Sequence, residues 1–162
     1  MNKNEVRVLL VDDDAQVRRA YAENLTRHDV RVDTASNGRE AIDLVRAGSY
    51  DAIVSDISMP EMTGVELLKA VRAHDIDVPV ILMTGQPDVE SAVRAVEYGA
   101  FRYLTKPVAG KELWETTLRA ARLRKLARLK EDALQLPGGG QLRLAERAAL
   151  EVRFTWGLSL LW

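Results

Sequence analysis

The feature that most limits what this chain can fold into is a unit that recurs along most of its length. A short apolar run stops abruptly at a polar side chain, and apolar residues at three- and four-residue spacing follow. Val6 to Val11, broken only by Arg7, stops at Asp12-Asp13-Asp14, and Val17, Ala20, Tyr21 and Leu25 then mark a helix over 15–26. Val30 to Ala35 alternates as a strand. Asn37-Gly38 turns it into a helix carrying Ala41, Ile42, Leu44 and Val45, closed by Gly48. Ala52 to Val54 runs on to Asp56, Pro60 enforces a turn, and a helix follows from Gly64 to His74. Val78 to Met83 ends in Thr84-Gly85, with Pro79 near the strand start, where a missing N–H is tolerated. The next helix spans about 88–98 and stops at Gly99. Phe101 to Leu104 precedes Thr105-Lys106-Pro107, and a last helix opens near Ala109. Apolar runs suit strands buried on both faces, and five strand–helix alternations imply an α/β fold with a parallel sheet wound by right-handed crossovers.

That winding sends every strand's carboxyl end to one edge of the sheet, where ligands bind in such folds. Asp12 and Asp13, Asp56, Thr84 and Lys106 belong to the ends of the first, third, fourth and fifth strands. A single Asp or Thr there is ordinary turn chemistry. Four strand ends each delivering an ionic or hydroxyl group are not. Three neighbouring carboxylates repel one another, and Lys106 and a hard divalent cation are the available compensators. Mg²⁺ fits best, because it accepts carboxylate oxygens, keeps waters and bridges to phosphate. Asp56 is ionised at neutral pH and needs no general base to act as a nucleophile. Phosphoryl transfer asks the protein mainly to position groups and balance charge, which Lys106, the Thr84 hydroxyl and backbone N–H groups after Asp56 could do.

These motifs resemble the receiver domain of two-component response regulators, over about residues 5–123. Leu-Leu-Val-Asp-Asp-Asp, Asp56 with Pro60 and Gly64, Thr84-Gly85, and Tyr103 three residues before Lys106-Pro107 carry the resemblance. It implies a doubly wound, flavodoxin-like five-stranded sheet in the order 2-1-3-4-5. It also implies that Asp56 accepts a phosphoryl group from a sensor histidine kinase or a phosphotransfer protein. Asp13 and Asp56 would ligate Mg²⁺ directly, Asp12 through water, and Ser58 through its backbone carbonyl. Lys106 would contact phosphate, through a loop whose Lys106–Pro107 peptide is cis, and Thr84 and Tyr103 would form the switch pair. Ser58 and Gln86 occupy positions where the family tunes phosphate lifetime. The resemblance implies no enzyme beyond self-phosphotransfer and autodephosphorylation. The alternatives are an aspartyl-phosphate hydrolase, which usually carries an acid where Ser58 stands, and an interaction domain that never takes phosphate.

The chain has 162 residues, a formal charge of -1 and no cysteine. The charge gives no pull toward nucleic acid or membrane, and disulfide and thiolate chemistry are excluded. With no signal peptide or spanning run in the sequence, the expectation is a cytoplasmic protein. Asp14 reads as a helix N-cap, and His28 and His74 as helix-end residues suited to the dipole. Beyond Leu118 the pattern changes. Arg119, Arg122, Arg124, Lys125, Arg128 and Lys130 read as a solvated basic face, while Leu126, Leu129, Ala133 and Leu136 form a seam that could pair with a second copy. Residues 124–162 are therefore expected to be a helical linker or relay, interrupted at Pro137-Gly-Gly-Gly140. Its apolar end, Leu150 to Trp162, resembles the helix leading into EAL-type cyclic-di-GMP phosphodiesterase domains, though none of that domain's catalytic residues are present.

Overall fold

The computed structural model describes residues 5–137. Strands and helices alternate: β1 (Val6–Val11), α1 (Ala15–Thr26), β2 (Val30–Ala35), α2 (Gly38–Ala47), β3 (Ala52–Asp56), α3 (Gly64–His74), β4 (Val80–Thr84), α4 (Val89–Glu97), β5 (Arg102–Thr105) and α5 (Gly110–Gln135). All four strand pairings are parallel, in the order β2-β1-β3-β4-β5. The flavodoxin-like order that the receiver resemblance implies is the one observed. The first compact unit runs Met1–Arg124, and a second begins at Lys125. The expected relay beyond Pro137, with its EAL-like end, lies outside the described residues.

Successive strand side chains point to opposite faces, and each face has its own core. Leu9, Val11, Ile53, Val80 and Leu82 pack with Ala41 and Val45 of α2, Leu67, Leu68 and Val71 of α3, and Ala95 of α4. Val8, Leu10, Val54, Ile81 and Met83 pack with Leu25 of α1 and Leu113, Ala120 and Ala121 of α5. β3 and β4 are buried at every residue, as their unbroken apolar runs require.

Short polar side chains set where the helices begin. Asp14 caps α1 by accepting from the Gln16 and Val17 N–H groups, as expected. Asn37 caps α2, Asp88 caps α4, and Thr63 with Glu66 closes a reciprocal capping box on α3. At the other end of α4, Gly99 takes φ +71°, the left-handed conformation that ends helices.

Two strands are bounded differently from the sequence reading. β4 begins at Val80 rather than Val78, because Pro79 has no N–H for the ladder; the Val78 carbonyl instead accepts from Arg72 Nη1 at 2.6 Å. β5 is shifted one residue onward, to Arg102–Thr105.

The Arg72 guanidinium organises the sheet edge opposite the strand carboxyl ends. Besides Val78 it donates to the carbonyls of Tyr98 at 3.1 Å and Gly99 at 2.8 Å, fixing the C-terminal end of α4 to α3. Next to it, Asp75 accepts two bonds from Arg124, at 2.9 and 2.7 Å. At the β2 edge, Arg7 donates to Asp33 from Nε and Nη2, Tyr50 Oη donates to the same carboxylate, and Arg7 lies over the Tyr50 ring. Trp114 stacks on His28 with centroids 4.2 Å apart, so it is a packing residue between α5 and the end of α1.

Candidate functional site

The carboxyl ends of β1, β3 and β4 and the loop after β5 border one acidic hollow. Asp12 is fully buried, Asp56 and Thr84 are nearly so, and Asp13 is exposed at the rim. Lys106 Nζ donates to Asp12 Oδ2 at 2.7 Å and lies 3.3 Å from Asp56 Oδ1. One ammonium thus bridges the ends of two strands. The backbone that carries it is tied to β4 by the Lys106 N–H, which donates to the Thr84 carbonyl at 2.8 Å, and the Lys106–Pro107 peptide is cis.

The loops hold these groups in place. Asp12 Oδ1 accepts the Asp14 N–H at 2.9 Å, so the same turn that caps α1 orients the buried carboxylate. The Ser58 N–H stands near the Asp56 carboxylate and favours its charged form. Ser55 Oγ donates to the Asp56 carbonyl at 2.9 Å, and the Gly64 N–H donates to the Ile57 carbonyl at 2.9 Å. Gly64 is required by contact: a Cβ there would collide with the Asp56 carbonyl oxygen and crowd the Ile57 backbone. The first residue of α3 therefore presses on the main chain of Asp56.

Burial pushes the Asp56 carboxyl above the usual carboxylate range. Lys106 opposes this, Asp12 adds to it, and burial with Asp12 prevails. Burial also presses Lys106 toward neutrality, but the hydrogen bond and charge of Asp12, with Asp56 beside it, hold its ammonium above the ordinary lysine value. The cluster has three carboxylates and one ammonium. Asp12, Asp13 and Asp56 can each offer one oxygen, all within 4.8 Å of one another. Oxygens sharing one Mg²⁺ stand about 4 Å apart at most, so small shifts suffice, and a hard, excess-negative donor set suits that ion.

The structure brings together Asp12, Asp13, Asp56 and Lys106, and places Ser58 against Asp56 through its N–H. Thr84 and Tyr103 are turned to the next loop and helix instead: Thr84 Oγ accepts the Gln86 N–H at 3.0 Å, and the Tyr103 hydroxyl lies 2.9 Å from Ser91 Oγ. Sequence reasoning missed Arg18, whose Nη1 donates to the Asp12 carbonyl at 2.6 Å and steadies the end of β1. No motif marks it; only its place in the first turns of α1 brings it back over the strand.

With this geometry established, comparison with known proteins is decisive. The family model for the response regulator receiver domain matches residues 8–118. The chain belongs to that family. As a receiver it is 36% identical over 151 residues to the regulatory protein AtoC of Escherichia coli strain K12, covering 93% of this chain and 30% of that protein. It is 37% identical over 123 residues to the response regulator MprA of Mycolicibacterium vanbaalenii, covering 76% of this chain and 51% of that one. A CheY-like receiver domain from Methanospirillum hungatei JF-1 superposes with a TM-score of 0.74 at 25% identity, over 76% of this chain and 99% of that one. The receiver thus spans about half or less of the length of the curated relatives it matches. The chain is a two-component receiver domain with the family's fold. Among the described residues, no helix is long and apolar enough to cross a membrane.

Proposed function

We propose that Asp56 is the phosphoacceptor of this receiver and that a partner histidine kinase or phosphotransfer protein supplies the phosphoryl group. The observation that carries this reading is the Lys106 bridge between the buried Asp12 and Asp56, with Asp13 at the rim. An Asp56 oxygen forms the new P–O bond as the P–N bond of the partner's phosphohistidine breaks, and the departing imidazole takes a proton. The product is an acyl phosphate. Lys106 and the Ser58 N–H stand beside Asp56, where they meet negative charge arriving on the phosphoryl oxygens. Asp13, Asp56 and the Ser58 carbonyl, with Asp12 through water, would hold Mg²⁺, which would supply neutralising charge.

Thr84 and Tyr103 convert the new charge into a changed surface, Thr84 by turning its hydroxyl toward the phosphoryl group and Tyr103 by following. This is a local charge event biasing a two-state element. The chain turns over no outside substrate: the position two past Asp56, where a hydrolase usually has its acid, is Ser58. A cysteine-free chain of this kind suits the reducing cytoplasm. Residues 124–162 act as a relay toward an output domain or partner. Leu126 and Leu129 of α5, and Leu136 just past its end, are each more than 60% exposed and form the seam on which a second copy pairs. Sedimentation with and without beryllofluoride checks the pairing, and a monomer in both states refutes it.

Acetyl phosphate with Mg²⁺ tests the acceptor. Intact-mass analysis is expected to show one phosphoryl adduct on wild type and none on Asp56→Asn. Equal labelling of both chains refutes the assignment.

A further inference from the structure

A second hydrogen-bonded chain lies beside the acidic hollow, on the N-terminal turn of α4. Tyr103, on β5, is half-buried, and its hydroxyl stands 2.9 Å from Ser91 Oγ. Ser91 Oγ lies 2.7 Å from Asp88 Oδ2, and the Ser91 N–H donates to Asp88 Oδ1 at 2.8 Å. Asp88 is the N-cap of α4. Its N–H points back to the Tyr103 oxygen at 3.4 Å, closing the circuit.

Proton counting fixes the direction of the chain. Each hydroxyl has one proton to donate, and an ionised carboxylate only accepts. The bonds from the Ser91 N–H and hydroxyl hold the Asp88 carboxyl below the usual carboxylate range, so it is ionised at neutral pH. Ser91 therefore gives its proton to Asp88, and Tyr103 must donate to Ser91. The order is Tyr103 to Ser91 to the Asp88 carboxylate, a relay that its charged end polarises and strengthens. On the other side of the same segment, Thr84 Oγ is held by the Gln86 N–H. Both hydroxyls of the switch pair are thus fastened to residues 86–91, one by a loop N–H and the other by Ser91.

We propose that Ser91 is a latch: it ties the Tyr103 hydroxyl to the N-cap of α4, so that Tyr103 cannot follow phosphorylation of Asp56 without releasing the first turn of that helix. The proposal rests on Asp56 as acceptor and on the Thr84–Tyr103 pairing. Ser91 is a positioning residue, for it reaches the phosphoryl site only through Tyr103. A bond made only in the unphosphorylated arrangement opposes phosphoryl uptake, and linkage makes the opposition reciprocal. Removing the latch must therefore favour binding of a phosphoryl mimic.

The test is a beryllofluoride titration with Mg²⁺, followed by backbone amide NMR, on the full chain. Wild type, Ser91→Ala, Ser91→Thr, Tyr103→Phe and the Ser91→Ala/Tyr103→Phe double variant are compared. Ser91→Ala is expected to tighten binding about fivefold, the effect of one hydrogen bond of ordinary net strength. Ser91→Thr, which keeps the hydroxyl, is expected to behave as wild type. Tyr103→Phe is expected to tighten binding by a similar factor, and Ser91→Ala to add nothing on top of it. Unchanged affinity in Ser91→Ala overturns the proposal. So does an equal gain from Ser91→Ala with and without the Tyr103 hydroxyl, which would place its effect in the helix cap alone. If wild type itself takes no beryllofluoride while remaining folded, the acceptor reading fails and the latch loses its role with it.

Discussion

Asp56→Asn, the variant that removes the proposed acceptor, is expected to make the folded chain more stable. The Asp56 charge is attracted by Lys106 at 3.3 Å and repelled by Asp12 and Asp13, whose oxygens lie within 4.8 Å. At an effective dielectric constant of about 20, the attraction is about 5 kcal/mol and each repulsion at least about 3.5 kcal/mol. Solvent screens the exposed Asp13, so the repulsions about offset the attraction, and the desolvation cost of the buried Asp56 charge decides the sign. Asparagine keeps an oxygen for the Ser58 N–H and Lys106 and carries no charge. The expected gain is about 2 kcal/mol by urea denaturation at pH 7.5 without Mg²⁺, or roughly 5 °C in Tm. The pH dependence has a definite sign. The folded-state pKa of Asp56 is raised, so the folded chain holds the proton more tightly than the unfolded one, and wild-type stability falls as pH rises from the ordinary carboxylate value through the raised one. The gap between the chains is therefore full above that raised value, closes as pH falls through it, and is gone below the unfolded value. Mg²⁺ should also narrow the gap, since it stabilises the chain that binds it better. A variant less stable than wild type at pH 7.5, or a gap that neither acid nor Mg²⁺ diminishes, refutes the charge accounting.

Two further perturbations probe the scaffold. Gly64→Ala puts a methyl group against the Asp56 carbonyl, and either α3 or the acceptor loop must shift; a loss of about 2 kcal/mol and slower labelling by acetyl phosphate are expected. Asp33→Asn removes the carboxylate shared by Arg7 and Tyr50. Burial raises the Asp33 pKa, but the hydrogen bonds from Arg7 and Tyr50 outweigh it, so its contribution is present above the unfolded carboxylate value and lost as pH falls through the depressed folded one. The variant should lose about 1 kcal/mol at pH 7, and in an acid denaturation series this difference should shrink as pH falls below the ordinary carboxylate value.

Much of the fold could be read from the sequence, because burial imposes a period. Leu9 and Val11 facing one core and Val8 and Leu10 the other follow from a strand sandwiched between helices. The capping roles of Asp14 and Gly99 follow from local backbone chemistry. The acidic hollow was legible because topology alone brings strand ends to one edge. Arg18, Ser91 and Arg72 were not. Each works through hydrogen bonds to groups in other turns and elements, Arg18 to the Asp12 carbonyl and Arg72 to the Tyr98 and Gly99 carbonyls. Such bonds leave no periodic trace, since an arginine at a helix surface reads as solvated. The Tyr103–Ser91–Asp88 relay was hidden for the same reason: its members sit at ordinary cap and strand positions until tertiary contact joins them.

The two ends of α4 are secured unequally. The Tyr98 and Gly99 carbonyls at its C-terminal end close on one guanidinium, which also holds the Val78 carbonyl before β4, belongs to a packed helix and has no stake in the phosphoryl chemistry. The opposite end hangs on two hydroxyls and a carboxylate. A rod pinned at one tip and clipped at the other can only swing. With nine residues α4 is about 13 Å long, so a 2 Å excursion at the free tip is a tilt of roughly 9° about Arg72. That arc carries the outward-facing Val89, Val93 and Val96 with it, and Val89, nearest the tip, travels farthest.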